Sequence, residues 1–158
     1  MLPKIFLTLF RLNSLLVALM LLGCDGSERH KNRVAELLSL PVNSTNSLEV
    51  KEFNENMLKD KQAGRPWGVD PVLVINGFTS LGIGQDSAMS MLQGSEGAGK
   101  RQVVVINDGF SGDSVRGERF DLVLQKDSEA FWIVLKARYS WRCWPDRGHD
   151  DFSTVPCS

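Results

Sequence analysis

Apolar residues recur at helical spacing in two stretches of the N-terminal half. Their spacing predicts one helix over residues 27–40 and a second that begins near Asn46 and ends at Gly64. Asn46 followed by Glu49 has the form of an N-cap and its partner, while Gly64 is a typical C-terminal cap. Pro41 ends the first helix because proline cannot continue it. We therefore expect two N-terminal helices.

The middle of the chain carries three shorter apolar segments. Residues 71–75 are apolar at every position, which favours a short buried strand, and residues 102–106 predict another. Residues 86–93 contain alanine, methionine and leucine, and this composition favours a short helix between the two strands.

The clearest pattern is a long hairpin near the C-terminus. Residues 115–125 and 130–143 are two strands that flank a turn at residues 126–129. On the second strand, alternate residues from Phe131 to Cys143 share one largely apolar face. With the turn centred on residues 127 and 128, apolar side chains meet in three facing pairs: Leu124 with Phe131, Leu122 with Ile133, and Phe120 with Leu135.

This order of elements predicts an α+β domain, with N-terminal helices packed on a curved antiparallel sheet. The same order is found in cystatin-like and ketosteroid-isomerase-like folds, an analogy that carries no activity. We predict a signal peptide over residues 1–23, a tether over 24–32 and a single domain over 33–158.

The first residues have the pattern of a bacterial lipoprotein precursor. Lys4 and Arg11 precede an uncharged apolar stretch over residues 12–23, as in a secretory signal peptide. Leu21-Leu22-Gly23-Cys24 resembles the lipobox, and this resemblance implies that Cys24 becomes the acylated first residue of the mature chain. Asp25 resembles the signal that retains such proteins in the inner membrane, which is favoured over the outer membrane. An ordinary signal peptide or an uncleaved anchor is the alternative.

Composition and charge narrow the classes of partner. The 158 residues include 42% apolar and 23% charged residues, which is typical of a globular domain. Without residues 1–23 the chain has 16 basic and 19 acidic residues, a formal net charge of −3, which argues against nucleic acid. Residues 94–101 are close to a phosphate-binding loop, but Arg101 occupies the Ser/Thr position and a strand follows. We predict no cofactor and no metal.

Two cysteines remain after Cys24. In an oxidising compartment, an even pair favours a disulfide between Cys143 and Cys157. It would close a loop of roughly fifteen residues and stabilise the fold by about 3 kcal/mol in the chain-entropy model. A metal site or a reactive thiol is the alternative. A metal site would need more ligands at short spacing, and His149 is the only histidine between the two cysteines.

The predicted hairpin register brings one set of polar side chains together. Arg116 and Glu118 would share a face with Tyr139, which suggests a ligand pocket on a concave sheet. The alternative is that these residues reach water at the open end of the hairpin. The opposite face would carry a basic stripe, which we interpret mainly as a solvated surface: Lys136, Arg138 and Arg142, with Arg119 beside them.

The C-terminal segment from Asp113 to Cys157 resembles a group of uncharacterised exported bacterial proteins. Residues 141–153 read Trp-Arg-Cys-Trp-Pro-Asp-Arg-Gly-His-Asp-Asp-Phe-Ser. The family's tails read Trp-Arg-Cys-x-Pro-Gly-Arg-Gly-His-x-Asp-aromatic-Ser and then Cys, so Asp146 replaces a glycine here. The resemblance implies a constant, disulfide-closed tail and no known activity.

Together these observations predict a membrane-anchored envelope lipoprotein that acts as a binding or accessory module. Its partners would be the lipid bilayer, through acylated Cys24, and an envelope protein. The alternative is an enzyme or a small-ligand binder that uses Arg116, Glu118 and Tyr139. No catalytic nucleophile is indicated among these three side chains.

Overall fold

The computed structural model describes residues 25–79, 86–93 and 99–158, and side chains over 31–79 and 99–158. The residues from Glu36 to Ser158 form one compact unit. The elements are α1 (Asp25–Ser39), β1 (Asn46–Leu48), α2 (Lys51–Gln62), a 3-10 helix η1 (Trp67–Val69), α3 (Pro71–Thr79), β2 (Asp86–Gln93), β3 (Lys100–Asp108), β4 (Val115–Lys126) and β5 (Trp132–Cys143).

The strands form an antiparallel sheet in the order β1-β5-β4-β3-β2. Together with the helices this confirms the predicted α+β class. The likeness to cystatin-like and ketosteroid-isomerase-like folds stays a prediction. The tether predicted over residues 24–32 overlaps α1, which begins at Asp25.

The hydrophobic core lies on one face of the sheet, which we call the inner face. Helices α2 and α3 cover it, with Met57, Val74 and Ile75 fully buried against the strands. Burial of an aliphatic side chain of this size contributes about 1.5–3 kcal/mol. Phe53 of α2 adds edge-to-face contacts with Trp67 at 5.8 Å and with Phe78 at 5.0 Å between ring centroids.

The 115–143 hairpin is present, but its predicted register is wrong. Asp127 Oδ1 accepts hydrogen bonds from the backbone N–H groups of Glu129 and Phe131, so the turn is longer than predicted. An irregularity follows between Val123 and Leu124. Leu135 therefore has no partner across the ladder and is 39% exposed. The observed pairs are Leu124 with Val134, Leu122 with Ala137, and Phe120 with Tyr139.

Two middle elements have the opposite type from the predicted one. The apolar run over residues 71–75 belongs to helix α3, and not to a strand. Asp70 Oδ1 accepts a hydrogen bond from the Val72 N–H at 2.8 Å, and Pro71 follows at the first helical position. This is the usual arrangement at a helix start. Residues 86–93 form strand β2, because all eight pair with β3.

The second helix begins later than predicted. Asn46 lies in strand β1 opposite Tyr139, and α2 starts at Lys51. Its C-terminus agrees with the prediction, since Gly64 has a φ of 77° just after the last turn. The Gly64 and Arg65 N–H groups donate to the carbonyls of Lys61 and Asp60, which satisfies the end of the helix.

Candidate functional site

The predicted lipidation site, Cys24, and the signal peptide lie outside the described residues. Over the part of the chain that the structure describes, no helix has the length and apolar character needed to cross a membrane.

The disulfide between Cys143 and Cys157 is present, with the two Cα atoms 5.6 Å apart. It joins the end of β5 to the C-terminal tail, residues 144–158. Ser153 of the tail exchanges two backbone hydrogen bonds with Trp141, at 3.0 and 2.9 Å. Gly148 has a φ of 143°, and a Cβ there would lie 2.9 Å from Cys143 Sγ. The tail is therefore held against strand β5 by a covalent bond and by backbone pairing.

The His149 side chain contacts two backbone carbonyl groups of the tail. Its Nδ1 lies 2.8 Å from the Asp151 carbonyl oxygen, and its Nε2 lies 2.9 Å from that of Val155. Both neighbours are acceptors, so the doubly protonated ring fits best. Burial of the ring opposes its charge, but these hydrogen bonds and the carboxylates of Asp151 and Asp150 outweigh burial and raise the pKa of His149.

The same region contains the only group of three metal-ligand atoms found among the described side chains. Cys143, His149 and Cys157 place these atoms within 4.8 Å of one another. Both sulfurs are joined in the disulfide. Because metal ions bind the thiolate form, the cluster in this state offers the imidazole alone as a strong ligand.

Of the three side chains of the predicted pocket, the structure brings two together. The Tyr139 hydroxyl donates to Glu118 Oε1 at 2.5 Å. Burial, and then the hydrogen bond to the negatively charged Glu118, raise the pKa of Tyr139. The Tyr139 ring also packs between those of Phe120 and Trp141, at tilted angles of 46° and 41° and centroid distances of 5.1 and 5.6 Å.

Arg116, the third predicted pocket residue, points to a different partner. Its Nε lies 3.6 Å from Asp108 Oδ2, and its guanidinium covers the Trp144 ring at 5.1 Å. A second irregularity in the β4–β5 ladder, between Val115 and Gly117, places Arg116 at the bulge. Gly117, a glycine inside the strand pattern, is the one sequence sign of this bulge.

Asp108 is the centre of a buried ion cluster that the sequence did not reveal. Its side chain is fully buried, and Arg142 Nε lies 3.2 Å from its Oδ1. Arg142 is only 5% exposed, so its place in a solvated basic stripe is wrong. Gly117 makes the arrangement possible, since a Cβ there would overlap Asp108 Oδ1 and lie 2.8 Å from the Asn107 carbonyl oxygen.

The face of the sheet opposite the core, the outer face, is divided in two. Near Arg119 it is covered by the tail, whose Phe152 ring lies 5.8 Å from the Arg119 guanidinium. Beyond that point lies a cavity of about 740 Å³, which we call the outer groove. An adjoining cavity of about 330 Å³ shares Asp121 and Arg138 with it. Residues of four strands line the outer groove; besides Ser47 and Leu48 of β1, they include Gln102, Val104, Asp121, Val123, Lys136 and Arg138.

The charged side chains of the outer groove differ in whether they already form an ion pair. Arg119 donates to both carboxylate oxygens of Asp121, at 2.9 and 3.1 Å, and both side chains are largely buried. Lys136 and Arg138 are exposed, and neither forms an ion pair with another residue that the structure describes. Two exposed cations therefore line the groove together with two carboxylates, of which Asp121 is already bound by Arg119 and Glu49 is exposed.

Comparison with protein-family models, with curated protein sequences and with solved structures finds no match for this chain.

Proposed function

We propose that the chain is a lipid-anchored protein of the bacterial cell envelope whose domain is a binding or accessory module. The anchor would be acylated Cys24, which follows Leu21-Leu22-Gly23 and precedes a polar segment. The Cys143–Cys157 disulfide supports an oxidising compartment, because such bonds persist mainly outside the cytoplasm. Asp25 supports the inner membrane over the outer membrane. Two or three acyl chains would make the attachment stable.

The outer groove is the observation that carries the binding role. It combines an open volume of about 740 Å³ with Lys136 and Arg138, two exposed cations on alternate positions of β5. Charged groups that line a cleft attract partners of opposite sign and orient them. The domain as a whole is acidic after removal of the signal peptide, so these two cations mark a local site and not a general attraction to anions.

Membrane attachment is tested by replacing the acyl acceptor. In Cys24→Ser we expect the protein to incorporate no acyl label, whereas in cells treated with globomycin, which blocks cleavage after acylation, we expect a longer, acylated precursor that stays in the membrane fraction. Cys157→Ser is the matched control, because it removes a cysteine of the disulfide and leaves Cys24 in place. A Cys24→Ser protein that incorporates acyl label like the control overturns the lipid anchor.

The binding role is tested by crosslinking in intact membranes, followed by purification of the protein. We expect the crosslinked partner to be reduced in Arg138→Glu and retained in Arg147→Glu, which changes an exposed arginine of the tail outside the groove. Equal recovery in both variants overturns the groove as the partner site.

An enzyme or small-ligand binder that uses Glu118, Tyr139 and Arg116 is the second candidate. The short hydrogen bond between Tyr139 and Glu118 favours it, because a carboxylate paired with a phenol can position a polar ligand. The contact of Arg116 with Asp108 reduces the set to two residues. A ligand found in a metabolite screen that binds the wild type and not Glu118→Gln, with the fold intact, would favour this candidate.

A further inference from the structure

We infer that the outer groove binds a single anionic amphiphile, with its carboxylate or phosphate head at Lys136 and Arg138 and its apolar body on Val104 and Val123. This inference rests on the proposed binding role of the same groove and names the chemical class of ligand. It combines the charges of the groove with the composition of its floor.

The head position follows from the charges. Lys136 and Arg138 are alternate residues on the outer face of β5, so both side chains project from the same side of the sheet. Asp121 is directly opposite Arg138, but Arg119 already binds both of its carboxylate oxygens. Glu49 is the other acid that lines the groove; because Arg119, from the adjoining cavity, already binds Asp121, Lys136 and Arg138 face one carboxylate that is not bound in this way. An anion is the complementary ligand.

The apolar part follows from the register of the three central strands. One row across the sheet is Val104, Asp121 and Arg138, and the next row is Gln102, Val123 and Lys136. Each cation therefore shares its row with a valine that is only partly buried. Leu135, which is 39% exposed, adds apolar surface to the same groove. Hydrocarbon attached to the anion would remove this surface from water.

The same geometry disfavours an anionic polymer. A polymer would need a continuous row of available cations along the strand. Arg119 is bound to Asp121, and Arg142 is buried against Asp108, so the row ends after Lys136 and Arg138. Two neighbouring cations fit a single anionic head group better than they fit a polymer that carries many negative charges.

The test uses hexyl phosphate as the probe, because it carries the anionic head on a short apolar chain and remains soluble. It is titrated by calorimetry into the full chain held in phosphatidylcholine nanodiscs, with empty nanodiscs as the blank. We expect saturable binding at least about tenfold tighter than that of inorganic phosphate or hexanol. Lys136→Ala and Arg138→Ala should each weaken it about fivefold or more. Arg147→Ala, with the same change of charge outside the groove, should leave it unchanged.

Val123→Thr tests the apolar contribution, because threonine is close to valine in shape but adds a hydroxyl. We expect it to weaken hexyl phosphate and to leave inorganic phosphate unchanged. Equal affinity for the two probes, or equal binding by Arg138→Ala and Arg147→Ala, overturns the inference. If hexyl phosphate fails to bind while Arg138→Glu still loses its crosslinked partner, only the ligand class is wrong. If Arg138→Glu keeps the crosslinked partner and hexyl phosphate binds as expected, the groove as a protein-partner site is overturned. The inference of a ligand site is then retained.

Discussion

Gly117→Ala should destabilise the protein, although alanine in place of a β-strand glycine normally stabilises a fold slightly. An alanine Cβ at this position would overlap Asp108 Oδ1 and lie 2.8 Å from the Asn107 carbonyl oxygen. The carbonyl belongs to the adjacent strand β3 and cannot move without disturbing the ladder. The Asp108 side chain must therefore shift, and with it the carboxylate that faces Arg142.

The magnitude follows from the burial of the ion pair. Asp108 is fully buried and the Arg142 side chain is 6% exposed, with 3.2 Å between the charged groups. Breaking such a pair costs about 3–5 kcal/mol. Alanine returns about 0.5–1 kcal/mol, because it restricts the unfolded chain more than glycine does. We expect a net loss of about 2–4 kcal/mol in the free energy of unfolding.

Gly112→Ala is the matched control, since no atom lies within 4 Å of its added Cβ. It should change the free energy of unfolding by less than about 0.5 kcal/mol. Unfolding in urea is monitored by tryptophan fluorescence. The free energies of the two variants are compared provided that both have the same m-value, the slope of the free energy of unfolding against urea concentration. A second comparison places Gly117→Ala in an Asp108→Ala background, where it should cost at least about 1 kcal/mol less. Two glycine variants of equal stability would refute the reasoning.

Three further predictions concern other contacts of the sheet. The Asn54 side chain donates to the Val134 carbonyl oxygen at 2.8 Å and accepts from its N–H at 3.1 Å, so Asn54→Ala should lose about 1–3 kcal/mol, whereas exposed Asn56→Ala should lose little. In thermal unfolding without reductant, Cys157→Ser should be less stable by about 3 kcal/mol, and unchanged stability would contradict a constraint on the tail. The raised pKa of His149 means that its stabilising contribution is complete below about pH 6.5 and is lost as the pH rises through the raised value. His149→Gln should therefore show a smaller loss of stability between pH 6 and pH 9 than the wild type, and parallel curves would refute this.

The sequence was sufficient for the α+β class and for the hairpin, because long strands with a shared apolar face are strong signals. It was insufficient for α3, because a five-residue apolar run is compatible with a buried strand or a buried helix. A local signal did exist there: Asp70 followed by Pro71 is a typical helix start, and the Asp70 carboxylate accepts the Val72 N–H. For β2, pairing with β3 outweighs the helical preference of its residues.

The hairpin register shows why the candidate site was predicted only in part. Glu118 and Tyr139 meet, as expected, because their positions on the same face survive a shift of the pairing by an even number of residues. The two ladder irregularities change the surroundings of Arg116 and Leu135; the first is bounded by Gly117, whereas the second has no glycine or proline beside it. The Asp108–Arg142 contact also depends on these long-range pairings.

The irregular pairing also explains how one sheet face serves two purposes. At the end of β4 that begins with Val115, Gly117 gives the Asp108 carboxylate room beside Arg142, and the disulfide-bound tail covers the neighbouring Arg119 with Phe152. Further along β4, beside the first half of β5, no tail residue lines the sheet surface. Lys136 and Arg138 line the outer groove there. Buried charges need a partner, whereas exposed charges do not. The cations near the tail are therefore committed to structure, and the cations of the groove remain available to a ligand.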